Sequence, residues 1–571
     1  MFHILQKKCV KNFSISLASN IVNFFYFLDP LKTTVNLFYI CYNPFMASGR
    51  FLPIDIQTFS DIRSRNAVYA DKTAFVYKLA TEGKPYFLSR PRRFGKSLFL
   101  STLEAYFLGK KELFTGLALE KLEKDWIEYP VIYLNFSQTG FSTDGKLKNV
   151  LDFTLSKYEE RYNIEKKIDD YALRFAEIIQ TANKVTGKQV VILIDEYDKP
   201  ILDALYTEYE EKNRTILREF YVTLKANDEY IRFLFITGIT RISHMNIFSG
   251  LNQLNDISLN EKYSSICGVS ETELTQYFMP EIEELAKKQE MSLEETKAEL
   301  AKMYDGYHFT PDSEGVYNPF CLLKALSESD FGSYWFESGT PSFLVKTLQN
   351  QPFQLFSIIN GRKATETQFK DYDTDSKNML PVIYQSGYLT IKDFEKRGRI
   401  YTLGFPNKEV EAGFLNAILP KFISVPDDDL GLSVDYLRKA FAANELEYAM
   451  RIVKACFSDI PTIVQKNMCE NFYEAITHVL FRMTGFDVVS EMQSIFGRSD
   501  IIVTTQTDVY IFELKTVPPA DFEKGVKEAL EQIEKKGYAE RYSVSGKTTH
   551  KIALVFADDA SGVLGWKENT I

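Results

Sequence analysis

Short continuous apolar runs alternate with helical periodicities over the first half of the chain, and that alternation predicts an α/β fold. Lys84–Ser89 (KPYFLS), Pro130–Phe136 (PVIYLNF), Gln189–Ile194 (QVVILI) and Arg232–Thr237 (RFLFIT) read as strands. The third is aliphatic from Val190 on, the pattern of a central parallel strand covered on both faces. After the first run, Leu98, Leu100, Leu103, Tyr106 and Phe107 recur at roughly helical spacing. Glu271–Met303 is rich in Glu, Lys and Leu at helical spacing and predicts a solvated helical pair. Met379–Phe405 reads as a helix followed by the strands GYLTI and RIYTLGF, a winged-helix-like pattern. The acidic turn Pro426–Asp429 reads as a linker. Beyond it, helices run to about Thr484. Strands follow at Phe486–Gln493, Ile501–Val503 and Val509–Lys515, and then an amphipathic helix that carries Gln532.

At 571 residues the chain is too long for a single core and predicts several domains. Its apolar share of 45% and charged share of 25% are those of an ordinary globular protein. A formal charge of -10 argues against a chain that coats nucleic acid non-specifically, while leaving room for a local basic groove. The six cysteines form no CxxC pair, and no two of the five histidines are spaced three or four apart. That scatter argues against a disulfide scaffold or a His-rich metal site and favours a reduced, cytoplasmic setting. Asn12–Leu28 carries no charge and follows Lys7, Lys8 and Lys11, which loosely imitates a signal peptide or a short membrane anchor. Its polar interruptions and the globular character from Met46 onward favour another reading, in which residues 1–45 are an upstream extension and translation starts at Met46.

The loop after the first strand reads Arg90-Pro91-Arg92-Arg93-Phe94-Gly95-Lys96-Ser97. Strand, loop and helix are the context in which a Gly-Lys-Ser triplet binds phosphate, since the backbone N–H groups at the helix start wrap the anion. Lys96 would neutralise the outer phosphates and the Ser97 hydroxyl would ligate Mg²⁺. Arg90 stands where the first glycine of such a loop usually sits. The aliphatic run Gln189–Ile194 ends in Asp195-Glu196. Acids at the carboxyl end of a central strand suit Mg²⁺ binding (Asp195) and activation of the attacking water (Glu196). Thr237, which ends its strand, is a candidate γ-phosphate sensor. Arg241 is a candidate for transition-state charge stabilisation within one subunit or across two.

A second constellation lies near the C-terminus. Asp500 opens one strand, and Glu513-Leu514-Lys515 sits on the next. Residues two apart in a strand share a face, so Glu513 and Lys515 project together. Two carboxylates can hold Mg²⁺ and a water for attack on phosphorus, with the lysine offsetting charge. Gln532 on the following amphipathic helix joins Asp500, Glu513 and Lys515 as a candidate nuclease residue. Glu474, Glu491 and the Lys535, Lys536 and Arg541 region are secondary candidates, each equally consistent with ordinary structure.

RPRRFGKSL, VILIDEYDKP, FITGITRIS, the Tyr304–Phe309 segment, Val316–Phe320 and Tyr334–Thr340 together resemble the predicted AAA-ATPase-like proteins common in gut bacteria. The resemblance runs from Leu52 to the C-terminus and tolerates Arg90 in the glycine position. The C-terminal acids and lysine are similar to the PD-(D/E)xK nuclease superfamily, a domain that such ATPase-like chains commonly carry at this end. The resemblance implies a P-loop NTPase parallel sheet at residues 46–269 and a helical lid with a winged-helix-like module at 270–424. An α/β nuclease-like domain is implied at 430–571. The expected cofactors are ATP and Mg²⁺. The expected partners are nucleic acid, DNA before RNA, and a second copy of the chain, with no membrane. Two functions fit. In one, ATP turnover drives a Mg²⁺-dependent nuclease; in the other, a nucleotide-switched regulator binds nucleic acid or a partner without cutting.

Overall fold

The computed structural model describes residues 50–570, except 206, 243–253, 336–357, 359–360, 372–377, 379, 424–429, 459–469, 491–499, 537–541, 543–545 and 560. The upstream extension, the acidic linker and Glu491 therefore lie outside the described residues, as do Phe336–Thr340 and Arg541.

The four expected strands form β1 (Pro85–Ser89), β2 (Val131–Asn135), β3 (Val190–Asp195) and β4 (Ile231–Gly238). A two-residue strand that the apolar pattern does not announce, β5 (Asn255–Asp256), completes an all-parallel sheet in the order β2-β3-β4-β1-β5. Every residue of β3 is buried, as its aliphatic composition requires of a strand covered on both faces. Helix α1 (Lys96–Phe107) follows β1 directly. Helices α2 (Tyr171–Thr186) and α3 (Tyr209–Ala226) pack together, with Phe175 stacked on Phe220 at 4.7 Å. Asp170 caps α2 by accepting from the Leu173 N–H, and Gly187 ends it at φ 67°, where a side chain is strained.

In the middle region α4 (Leu380–Gln385) precedes β7 (Thr390–Glu395) and β8 (Ile400–Gly404), matching the expected helix and two strands. A further short strand, β6 (Arg362–Thr365), pairs with β8 to give an antiparallel sheet in the order β6-β8-β7. Tyr304, Tyr307 and Phe309 are buried rather than displayed to solvent. Their rings pack inward, and Tyr307 and Phe309 meet Phe94 of the 90–97 loop edge-on at 4.7 and 5.6 Å. These aromatics dock the middle region on the first sheet.

The C-terminal sheet is mixed, in the order β13-β12-β11-β10-β9. Its strands are β9 (Asp487–Ser490), β10 (Asp500–Thr504), β11 (Asp508–Val517), β12 (Thr548–Ala557) and β13 (Val563–Thr570). Helix α5 (Leu430–Ala442) and helix α6 (Glu470–Met483) cover one face, where Phe441 and Phe481 pack on Phe512. Helix α7 (Phe522–Lys536) crosses the other face between the parallel strands β11 and β12, and its Ile533 clusters with Ile502, Val509 and Ile511.

Candidate functional sites

Helix α1 starts on a left-handed glycine. Its N-cap is Gly95 at φ 87°, with no side-chain cap among the described residues. No atom lies within 4 Å of where a Cβ on Gly95 would sit. The first-turn N–H groups are thus left for an external acceptor. The Lys96 ammonium is buried and donates to the Arg90 and Pro91 carbonyls, both at 2.9 Å. Burial depresses its pKa, and the nearby Asp195 and Glu196 charges oppose that shift.

Arg90 fills the usual glycine position by turning away from the helix start. Its guanidinium is 1% exposed and donates to the Ser89, Ser258 and Tyr263 carbonyls at 2.9, 2.8 and 3.1 Å. The ring of Phe309 lies 3.8 Å from it. Burial pulls its pKa down to about 10. This arginine acts as a clamp beneath the loop. Arg92 and Arg93 are both exposed, and Arg93 pairs with Asp55 and lies over Phe320 at 4.2 Å.

Asp195 is fully buried at the end of β3 and accepts from Thr237 Oγ1 at 2.7 Å, across the adjacent strand β4. Thr237 is therefore bonded to the acid that was expected to hold Mg²⁺. The Tyr133 hydroxyl approaches the other Asp195 oxygen at 3.4 Å. Glu196 stands at φ 53°, a left-handed conformation that is costly for a residue with a side chain. Burial, then the Asp195 charge, raises its pKa. Arg241 is not brought to these acids. Its Nη1 lies 3.1 Å from Asp256 and its Nε lies 3.3 Å from Asp371 in the middle region, while its backbone N–H donates to Gln385 at 2.8 Å.

In the C-terminal sheet the antiparallel register sets Asp500 directly opposite Glu513. Directly opposed residues share a face, and Glu513, Lys515, Val509 and Ile511 share it by their period of two. That face is the one α7 covers. Glu513 is fully buried, and Lys515 Nζ lies 3.0 Å from its Oε1. Gln532 is half-buried on α7. Glu474 is buried on α6, which packs on the opposite face.

Residues 53–248 match the family described as predicted AAA-ATPase, and residues 468–566 match the PD-(D/E)XK nuclease superfamily. An uncharacterized protein encoded in the vnfD 5' region of Azotobacter chroococcum mcd 1 is 35% identical over 531 residues, covering 91% of this chain and 99% of that protein. The chain belongs to the predicted AAA-ATPase family.

Sequence reasoning missed two features of this AAA-ATPase-like site. Asp198, three residues after Asp195, accepts from the Ile239 N–H, the Thr240 N–H and the Thr240 hydroxyl at 3.0, 2.6 and 2.8 Å. It fixes the segment between Thr237 and Arg241. Its place in VILIDEYDKP was visible, but nothing in that motif says which amides it meets. The second is an apolar cavity of about 90 Å³ beside Gly95, lined by Ile62, Val68, Leu98, Phe99 and Ile266 with Lys72 at its edge. Lys72 is tied to Glu273 at 2.6 Å and to the Ser265 carbonyl at 2.7 Å. The described residues contain no helix long and apolar enough to cross a membrane.

Proposed function

We propose that this chain binds and hydrolyses ATP at the loop of residues 90–97, and that turnover controls phosphodiester cleavage at Asp500, Glu513 and Lys515. The observation that carries the reading is the pairing of Asp500 opposite Glu513, with Lys515 on the same face, in a chain that also has an uncapped helix start at Gly95. Hard oxygen donors suit Mg²⁺. Ser97 and Asp195 would hold it at the first site, and Asp500 and Glu513 at the second. When bound, the metal supplies Lewis-acid neutralisation of phosphate charge.

At the first site the free N–H groups of α1 receive the phosphates, and Lys96 exchanges the Arg90 and Pro91 carbonyls for phosphate oxygens. The apolar cavity beside Gly95 takes the base; none of its described lining residues carries a carboxylate to pair with the N–H edge of guanine, which favours adenine. Glu196, made more basic by burial and by Asp195, accepts the proton of the attacking water. At the second site the Lys515 ammonium orients the nucleophilic water and offsets charge on the pentacovalent phosphorus. Nucleic acid, DNA before RNA, is the substrate.

The test is cleavage of plasmid and single-stranded DNA with Mg²⁺, with and without ATP, by the wild type and by Asp500→Ala and Lys96→Ala. The reading expects Asp500→Ala to lose cleavage while keeping ATP hydrolysis, and Lys96→Ala to lose both. A wild type that cuts no DNA or RNA under any nucleotide and metal condition sinks the nuclease half. In that case the regulatory alternative, binding without cutting, takes its place.

A further inference from the structure

Four arginines lie in or beside the candidate ATP site, and three are committed elsewhere. Arg90 is buried with its hydrogen bonds spent on the carbonyls of Ser89, Ser258 and Tyr263. Arg93 is held by Asp55 and by the face of Phe320. Arg241 is held by two carboxylates, and its backbone is pinned to Gln385. The strand order removes it further, because Asp256 lies on β5 while Asp195 and Glu196 close β3. With neighbouring strands about 4.8 Å apart, three spacings separate those two strands, roughly 14 Å. Arg92 differs from all three in having no hydrogen bond or ion pair among the described residues, and like Arg93 it is exposed.

Its position matters as much as its freedom. The Lys96 ammonium lies 2.9 Å from the carbonyls of both Arg90 and Pro91, so this stretch of main chain passes directly beside it. Arg92 is the next residue. On the ATPase reading of the loop, that ammonium marks where the outer phosphates lie. A guanidinium on a flexible stem, starting one residue from this point, meets the γ-phosphoryl oxygens without breaking any existing contact. Bringing in Arg241 would break two ion pairs; bringing in Arg90 would take its donors from three carbonyls, that of Tyr263 buried.

We propose that Arg92 is the catalytic arginine of ATP hydrolysis and acts in cis, from the phosphate-binding loop itself. The inference rests on the ATPase reading above. In the step it assists, the water oxygen bonds to the γ-phosphorus as the bond from that phosphorus to the β–γ bridging oxygen breaks. The water's proton passes to Glu196, and ADP leaves with the electron pair of the broken bond. Arg92 transfers no proton. Its fork of N–H donors binds two γ-phosphoryl oxygens as their charge redistributes, a geometry lysine does not reproduce.

The experiment uses the full chain as wild type, Arg92→Ala, Arg92→Lys and Lys96→Ala. It measures ATP turnover, MgATP affinity, and affinity for MgADP with aluminium fluoride, which imitates the transferring phosphoryl group. Arg92→Ala is expected to lose at least about 100-fold in turnover, with MgATP affinity changed by less than about threefold and the tight aluminium fluoride complex lost. Arg92→Lys should recover only part of the rate. An equimolar mixture of Arg92→Ala and Lys96→Ala should stay inactive; if it regains turnover, the arginine acts across subunits and the proposal falls. A wild type that hydrolyses ATP alongside an equally fast Arg92→Ala overturns this inference alone. A wild type that binds MgATP but never turns it over overturns the hydrolysis reading as well.

Discussion

Gly238 closes β4 in a space where no side chain fits. A Cβ there would stand 2.6 Å from Asp198 Oδ1 and 2.6 Å from the Tyr197 ring. The close approach lets Asp198 reach the Ile239 and Thr240 amides, which otherwise would be buried donors without an acceptor. Gly238→Ala is therefore expected to cost about 2–3 kcal/mol of stability, read as a lower denaturation midpoint at unchanged slope. It should also slow ATP turnover, because Asp198 anchors the segment that follows Thr237. Glu196 permits a second prediction at the same scale. A general base works only when ionised, and burial and Asp195 shift its titration upward. Turnover at saturating ATP should fall as pH drops through a midpoint above the ordinary glutamate value, and Glu196→Gln should remove both the limb and most of the rate. A wild-type rate with no acid limb above the ordinary glutamate range would contradict the assignment.

Helix α6 shows how an element stores pH sensitivity that its sequence does not advertise. His478 is fully buried on it, and burial, with a smaller push from Arg482, brings its pKa down to about 3. The unfolded chain takes up a proton near pH 6.5 that the folded chain refuses until about pH 3, so stability rises with pH between those values and is lost as pH falls through them. At pH 5 this amounts to about 2 kcal/mol, and His478→Leu should flatten the acid limb of a thermal melt by that much. Elements dominated by local pattern were readable from the chain: QVVILI became β3, and the spacing of Leu98 to Phe107 became α1. Elements defined by their partners were not. β5 is only Asn255–Asp256 and exists because β1 offers an edge, and β6 is held by β8. Thr548–Ala557 carries an apolar run as clear as the others, yet its role as the strand parallel to β11 depends on the α7 crossover between them. The candidate acids followed the same division. Spacing sufficed for Glu513 and Lys515 on one strand, while the placing of Asp500 opposite Glu513 needed the register. Arg241 was legible as a charge but not as a tie to Asp371, which lies far along the chain.

Among the described residues one apolar core cluster runs from Leu52, ahead of the first sheet, to Val563 in the last. Discrete polar ties cross it as well. Arg241 and Gln385 join the segment after β4 to the middle region, and the Tyr510 hydroxyl donates to the Phe441 carbonyl between β11 and α5. A core of this density moves between discrete arrangements rather than flexing continuously, so a change at Asp195 and Thr237 can reach the middle region only by remaking contacts such as those of Arg241. This separates coupling from chemistry. Asp371→Asn removes one of the two carboxylates on Arg241 and touches neither Lys96 nor Glu196. If ATP turnover controls cleavage through this tie, Asp371→Asn should keep ATP hydrolysis within about twofold while the stimulation of DNA cleavage by ATP falls at least about fivefold, a coupling of about 1 kcal/mol. Gln385→Leu, which removes the acceptor of the Arg241 N–H, should act in the same direction. Unchanged stimulation in both variants would show that the control passes by another route.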